Sequence, residues 1–137
     1  MFKILRRDRR RGPAAGRVTY ERAVDRWLSG DRRAAESLLR EAVGFDSSNV
    51  FAYIRLGDLL RWSGRIDKAV KLHADLRLRP GLDRDVDRRI ALSLARDYIA
   101  AGKYNRAVTI LRDRRIAVNK DPEAIELLRR LNEAVYR

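Results

Sequence analysis

The side chains able to do chemistry are few in these 137 residues. There is no cysteine, which excludes disulfides, thiolate zinc sites, iron–sulfur clusters and a cysteine nucleophile. The single histidine, His73, excludes any site needing two imidazoles, and without a G-x-S-x-G turn no triad can be assembled around it. It falls on an otherwise apolar helical stripe, which points to a packed, hydrogen-bonded histidine. Asp83, Asp85 and Asp87 alternate as calcium ligands do. An EF-hand loop begun at Asp83 would need glycine at position 88 and glutamate at position 94, where Arg88 and Leu94 stand. The three read instead as a helix start, with acid near the positive end of the helix dipole. Neither a G-x-x-x-x-G-K-[ST] nor a G-x-G-x-x-G phosphate loop occurs. No catalytic residue, metal or cofactor is expected, and the chain reads as a non-enzyme.

What the sequence holds in abundance is arginine, 27 of the 32 basic residues, and the formal net charge is +13. A guanidinium offers carboxylates and phosphates a planar fork and stacks on aromatic rings. Residues 1–17 carry Lys3, Arg6, Arg7, Arg9, Arg10, Arg11 and Arg17 against Asp8 alone, or +6, leaving +7 for the other 120 residues. A short apolar start followed by five arginines in six residues fits an anionic membrane surface, where each basic residue contributes about 1 kcal/mol. It fits RNA phosphates equally, and it fits a solvated tail with no partner. Gly12-Pro13-Ala14-Ala15-Gly16 reads as the flexible joint behind this tail. No apolar run approaches the roughly 18–20 residues of a membrane span, so a soluble chain is expected, peripheral to a membrane surface if the tail engages it.

The elements that position these groups follow a period. Gly30, Gly64 and Gly102 each end an amphipathic stretch, and Ala35, Ala69 and Ala107 follow five residues later in every case. The spacings are 34 and then 38, the four extra residues falling at Arg79-Pro80-Gly81-Leu82-Asp83, a breaker followed by a helix start. Tyr53, Leu56, Gly57 and Leu60, then Ile66, Ala69, Val70, His73 and Leu76, form the apolar stripes of two successive helices. Leu94, Ala95 and Tyr98, with Ala107, Val108 and Leu111, repeat them. The first repeat is irregular and draws its bulk from Tyr20, Val24, Trp27 and Leu28. Asp121-Pro122-Glu123 opens a last helix, expected to bury Ile125, Leu128, Leu131 and Val135. The organisation predicted is a tail at 1–17, three helical hairpins over 18–120 and a capping helix at 121–137.

This spacing is that of the tetratricopeptide repeat, which the chain resembles at Leu56, Gly57, Leu60, Gly64 and Ala69, and again at Leu94, Ala95, Tyr98, Gly102 and Ala107. The resemblance implies an all-α, right-handed α-solenoid. Residues 55–73, RLGDLLRWSGRIDKAVKLH, and 97–107, DYIAAGKYNRA, are more specific: they resemble the early repeats of the lipopolysaccharide assembly protein B family, over roughly residues 20–111. That resemblance implies a bacterial adaptor controlling lipopolysaccharide synthesis by presenting a biosynthetic enzyme to a membrane protease. Family members also begin with a membrane helix and end with a cysteine zinc module; Phe2, Ile4 and Leu5 are too few to span, and cysteine is absent.

In such arrays the first helix of each hairpin lines the concave surface. Projection places Arg17, Tyr20, Val24 and Trp27 there from the first repeat, Phe51, Ile54, Arg55, Asp58, Arg61 and Trp62 from the second, and Arg89, Leu92, Arg96 and Ile99 from the third. Arginine interleaved with aromatics suits an acidic or amphipathic segment of a partner protein. The function expected is therefore a protein–protein interaction scaffold or adaptor. The alternative is a nucleic-acid-associated basic factor gripping phosphates with its tail and repeat faces, and a second copy of the chain is a third kind of partner.

Overall fold

The structure, a computed structural model, describes the backbone of residues 2–135 and the side chains of residues 12–135. The tail side chains Lys3, Arg6, Arg7, Arg9, Arg10 and Arg11 lie outside the described residues. Within them the chain forms seven α-helices: α1 (Phe2–Leu28), α2 (Arg32–Phe45), α3 (Val50–Trp62), α4 (Ile66–Arg77), α5 (Arg84–Ala100), α6 (Tyr104–Leu111) and α7 (Pro122–Val135), with a 3-10 turn at Val118–Lys120. They divide into two compact units, residues 1–59 and 60–137. No described helix is long and apolar enough to cross a membrane.

The glycine period is a capping period. At Gly64 the backbone turns to φ 83°, which a side chain resists and glycine accepts. The Gly64 N–H then donates to the Arg61 carbonyl at 3.0 Å and the Arg65 N–H to the Leu60 carbonyl at 2.9 Å, closing the end of α3. Gly30 and Gly102 repeat the same pair of bonds at the ends of α1 and α5. Each following helix starts three residues before its alanine, and Ala35, Ala69 and Ala107 are all fully buried. A small residue there lets two helix backbones approach closely.

In the first unit α1 and α2 pack as a hairpin around Ala23, Ala35, Leu39 and Ala42. Asp31 caps α2, its carboxylate accepting from the Ala34 N–H at 3.2 Å. The stretch expected to be a flexible joint is a break followed at once by helix. Gly12 takes φ 23° and ψ −151°, and α1 continues through Pro13; a proline early in a helical segment sacrifices an N–H that would have no partner anyway. Gly16 is buried against α2, where an added Cβ would meet the Asp46 Cβ at 2.9 Å. It serves close packing, and the described hairpin therefore begins before residue 18.

In the second unit α5 is buried on nearly every side, from Ile90 through Ala95. Ala91, Leu92 and Ala95 form one core with Ala107 and Leu111 of α6 and Ala124 and Leu131 of α7. Because α6 has only eight residues, the connection after it supplies Ile116 and Val118 to this core, with Ala117 at φ 54° turning the chain between them. The breaker at Pro80 and Gly81 separates α4 from α5, and the Asp83 carboxylate caps α5 by accepting from the Val86 N–H at 2.9 Å. Asp85 and Asp87 pair with Arg88 and Arg77, so the acidic triplet is a helix start and its ion pairs. The face of α7 differs from expectation. Ala124, Leu127, Leu128 and Leu131 turn inward, whereas Ile125 and Val135 are 53% and 58% exposed. One residue is about 100° on a helix, so Ala124 takes the first inward position in place of Ile125, while Leu128 and Leu131 face the core as expected.

Two Gly→Ala changes separate conformation from contact. Gly64→Ala meets no neighbouring atom, so its cost is the left-handed backbone, about 1 kcal/mol, read as a lower urea midpoint. Gly44→Ala lies in ordinary helical backbone near the end of α2, also without neighbours, and is expected to raise the midpoint.

Candidate functional site

Two arginine-centred arrangements stand out, one in each unit, and they use the guanidinium in opposite ways. In the first unit Arg55, on the exposed side of α3, holds its guanidinium over the Trp27 ring, 5.8 Å from the centroid. No carboxylate among the described residues pairs with Arg55. The ring restrains the cation by its quadrupole while leaving the N–H fork open. Directly beside it, Ala23, Val24, Trp27, Leu28, Leu39 and Arg55 enclose a pocket of about 90 Å³. Its lining is apolar apart from the guanidinium, and Leu28 at its edge is 79% exposed. Chemically, this is a socket for a small aliphatic group with a cation at its mouth. Phe51 stands one turn before Arg55 on α3 and is exposed as well.

In the second unit Arg61 is turned inward. Its Nη1 donates to Asp97 Oδ1 at 2.7 Å and to the Ser93 carbonyl at 3.2 Å. Asp97 Oδ2 is hydrogen-bonded to His73 Nδ1 at 2.5 Å, and both side chains are 0% exposed. One carboxylate thus gathers the last turn of α3, the second half of α4 and the last turn of α5. A carboxylate taken from water needs such partners on both oxygens. His73 is a packed, hydrogen-bonded residue, as its place on the apolar stripe implied.

The residues projected onto the concave surface therefore separate. Arg17, Phe51, Arg55, Trp62 and Arg89 are exposed, and Tyr20 and Trp27 are half-buried. Ile54, Asp58 and Leu92 are buried, which removes them from a contact surface. Arg61 is consumed by Asp97, Arg96 pairs with Glu123 of α7, and Ile99 packs against the core of the second unit. A projection on a single helix cannot see these partners, because they lie 27 to 36 residues away in sequence. Asp97 went unnoticed in the sequence for the same reason. The available signal was an acid two residues after the buried run Ile90 to Ala95 on α5.

Surface pairs dominate the remaining electrostatics. Arg129 and Arg130 hydrogen-bond the Glu126 carboxylate on α7 and hold it down at about 2, against an ordinary value of 4.5. Hydrogen bonds from the Arg115 side chain and backbone likewise lower Asp113.

No protein-family model matches the chain. The chain resembles lipopolysaccharide assembly protein B. Over 88 residues, 64% of its length, it is 33% identical to that protein from Escherichia coli K12 and likewise to that from Escherichia coli O157:H7. It spans 23% of the length of these relatives. Among solved structures, the N-terminal domain of stress-induced protein-1 from C. elegans matches with a TM-score of 0.70, covering 88% of this chain and 96% of that one at 14% identity. That likeness carries the fold: all-helical, of the tetratricopeptide type, consistent with an α-solenoid.

Two outcomes follow. Asp97→Ala leaves Arg61 without its carboxylate and is expected to cost about 3–5 kcal/mol in urea unfolding, whereas replacing Arg61, His73 and Asp97 together by Met, Leu and Leu is far milder. The Glu126 carboxyl, its folded value depressed, keeps its stabilising pairs above pH 4.5 and loses them as pH falls through about 2; a side-chain NMR titration of Glu126 reads this directly.

Proposed function

We propose that the chain is a non-catalytic protein-interaction adaptor that receives an acidic, amphipathic segment of a partner protein, acting in lipopolysaccharide assembly as its relatives' name describes. The observation that carries this reading is Arg55, restrained over Trp27 at the mouth of an apolar pocket and paired with no described carboxylate. An aliphatic side chain entering the pocket would bring apolar area out of water, and a neighbouring glutamate or aspartate would complete the fork with charge-assisted hydrogen bonds. A buried aromatic beside an arginine is the usual composition of an interface hot spot.

The test uses Trp62→Phe protein, so that emission reports Trp27 alone, titrated with a synthetic peptide of leucine and glutamate at helical spacing. Saturable quenching is expected, weakened at least tenfold by Arg55→Glu and absent with the leucine–lysine version of the peptide. Equal response to both peptides, or indifference to Arg55→Glu, sinks the reading. Nucleic acid that co-purifies and leaves only with salt would instead favour a nucleic-acid-associated role.

A further inference from the structure

The pocket beside Arg55 is narrow as well as apolar, and its size bears on what can enter it. Resting on the adaptor reading above, we propose that it selects a branched aliphatic side chain of the partner, leucine or isoleucine, against aromatic rings. Leu39 is the residue that sets the limit.

Volume decides first. The pocket holds about 90 Å³. An apolar cavity of about 150 Å³ accepts a benzene ring, and this one falls well short of that. A phenyl or indole group meets the walls before it is covered, whereas an isobutyl or sec-butyl group can be taken in whole. Alanine would leave most of the space empty, and the lining atoms would forfeit their contacts.

Size is enforced only by walls that cannot move. Trp27 and Leu28 stand in the last turn of α1, the first half-buried and the second 79% exposed, so both have room to change rotamer. Ala23 and Leu39 are each 1% exposed, in a hairpin whose helices also meet at Ala35 and Ala42. Ala23 has no side chain to withdraw. Leu39, in the middle of α2, is among the largest fully buried side chains of the chain. It is therefore the lining group that is both bulky and held by close packing, and close-packed interiors feel even a single methylene.

Trp27 adds a constraint on spacing. Its ring lines the pocket and also carries the Arg55 guanidinium, 5.8 Å from the centroid. The aliphatic group and the acid must thus lie close together on one side of the partner. Positions i and i+3 or i+4 of a helix, with Cβ atoms about 5–6 Å apart, meet that requirement.

The experiment follows Trp27 emission in Trp62→Phe protein during titration with the leucine–glutamate peptide and with versions in which every leucine is isoleucine, alanine or phenylalanine. Leucine and isoleucine are expected to bind comparably, and alanine and phenylalanine at least about tenfold more weakly. Leu39→Ala, shown to be folded by circular dichroism, is expected to reverse the preference between leucine and phenylalanine. Because Leu39 also belongs to the core, Val24→Leu tests the same point from a half-buried lining position. It narrows the pocket and is expected to weaken the leucine peptide about tenfold while sparing the alanine peptide. Binding that needs Arg55 but is as tight for phenylalanine as for leucine overturns the selection and leaves the adaptor reading standing. Indifference of the leucine peptide to Val24→Leu, or continued rejection of phenylalanine by folded Leu39→Ala, also overturns it. No response to the leucine peptide overturns both.

Discussion

Asp97 is a carboxylate with no access to water, and the second unit is arranged around keeping it satisfied. An isolated buried charge is so costly that the fold must either neutralise it or surround it with donors. Here Arg61 supplies one oxygen's partner and His73 the other's, from two different helices. The last turns of α3 and α5 and the second half of α4 are consequently tied at one atom group. Apolar contacts would tolerate a helix sliding by a fraction of a turn, but a forked hydrogen bond would not. The alanines at the close approaches fix how near the helices come, and the buried carboxylate fixes where along their length they meet.

That division of labour explains what could be read from the residues alone. The glycine–alanine period, the four-residue extension and the capped starts at Asp83 and Asp121 are local signals, and each appears in the structure as a turn, a loop or a helix start. Amphipathic stripes are local too, yet they locate a face only to within one residue. At α7 the larger side chain was the wrong guide: Ile125 was expected inside, and it is Ala124 that is buried. Gly12–Gly16 misled in a different way. Glycine, proline and alanine together look like a hinge, but Gly16 is present because Asp46 leaves no space for a side chain.

The surface residues were the least legible. An arginine at a given helical position is exposed, ion-paired or ring-stacked depending on what a distant helix offers it. Arg55 and Arg61 sit six residues apart on α3 and end in opposite circumstances, one over Trp27 and the other under Asp97. Sequence counts both as +1. The structure distinguishes cations already spent on internal pairs from cations left for something else.

Arg55 over the Trp27 ring and Arg106 over the Tyr98 ring, each 5.8 Å from the centroid, share a property that ion-paired arginines lack. A guanidinium oriented by a carboxylate must be stripped of that carboxylate before it can greet another anion, so exchange between partners is a competition. Stacked on an aromatic face, the same group is already aimed and owes nothing to a rival. Added salt would shorten the range over which these two arginines are felt, yet it would not disturb the pose in which they wait.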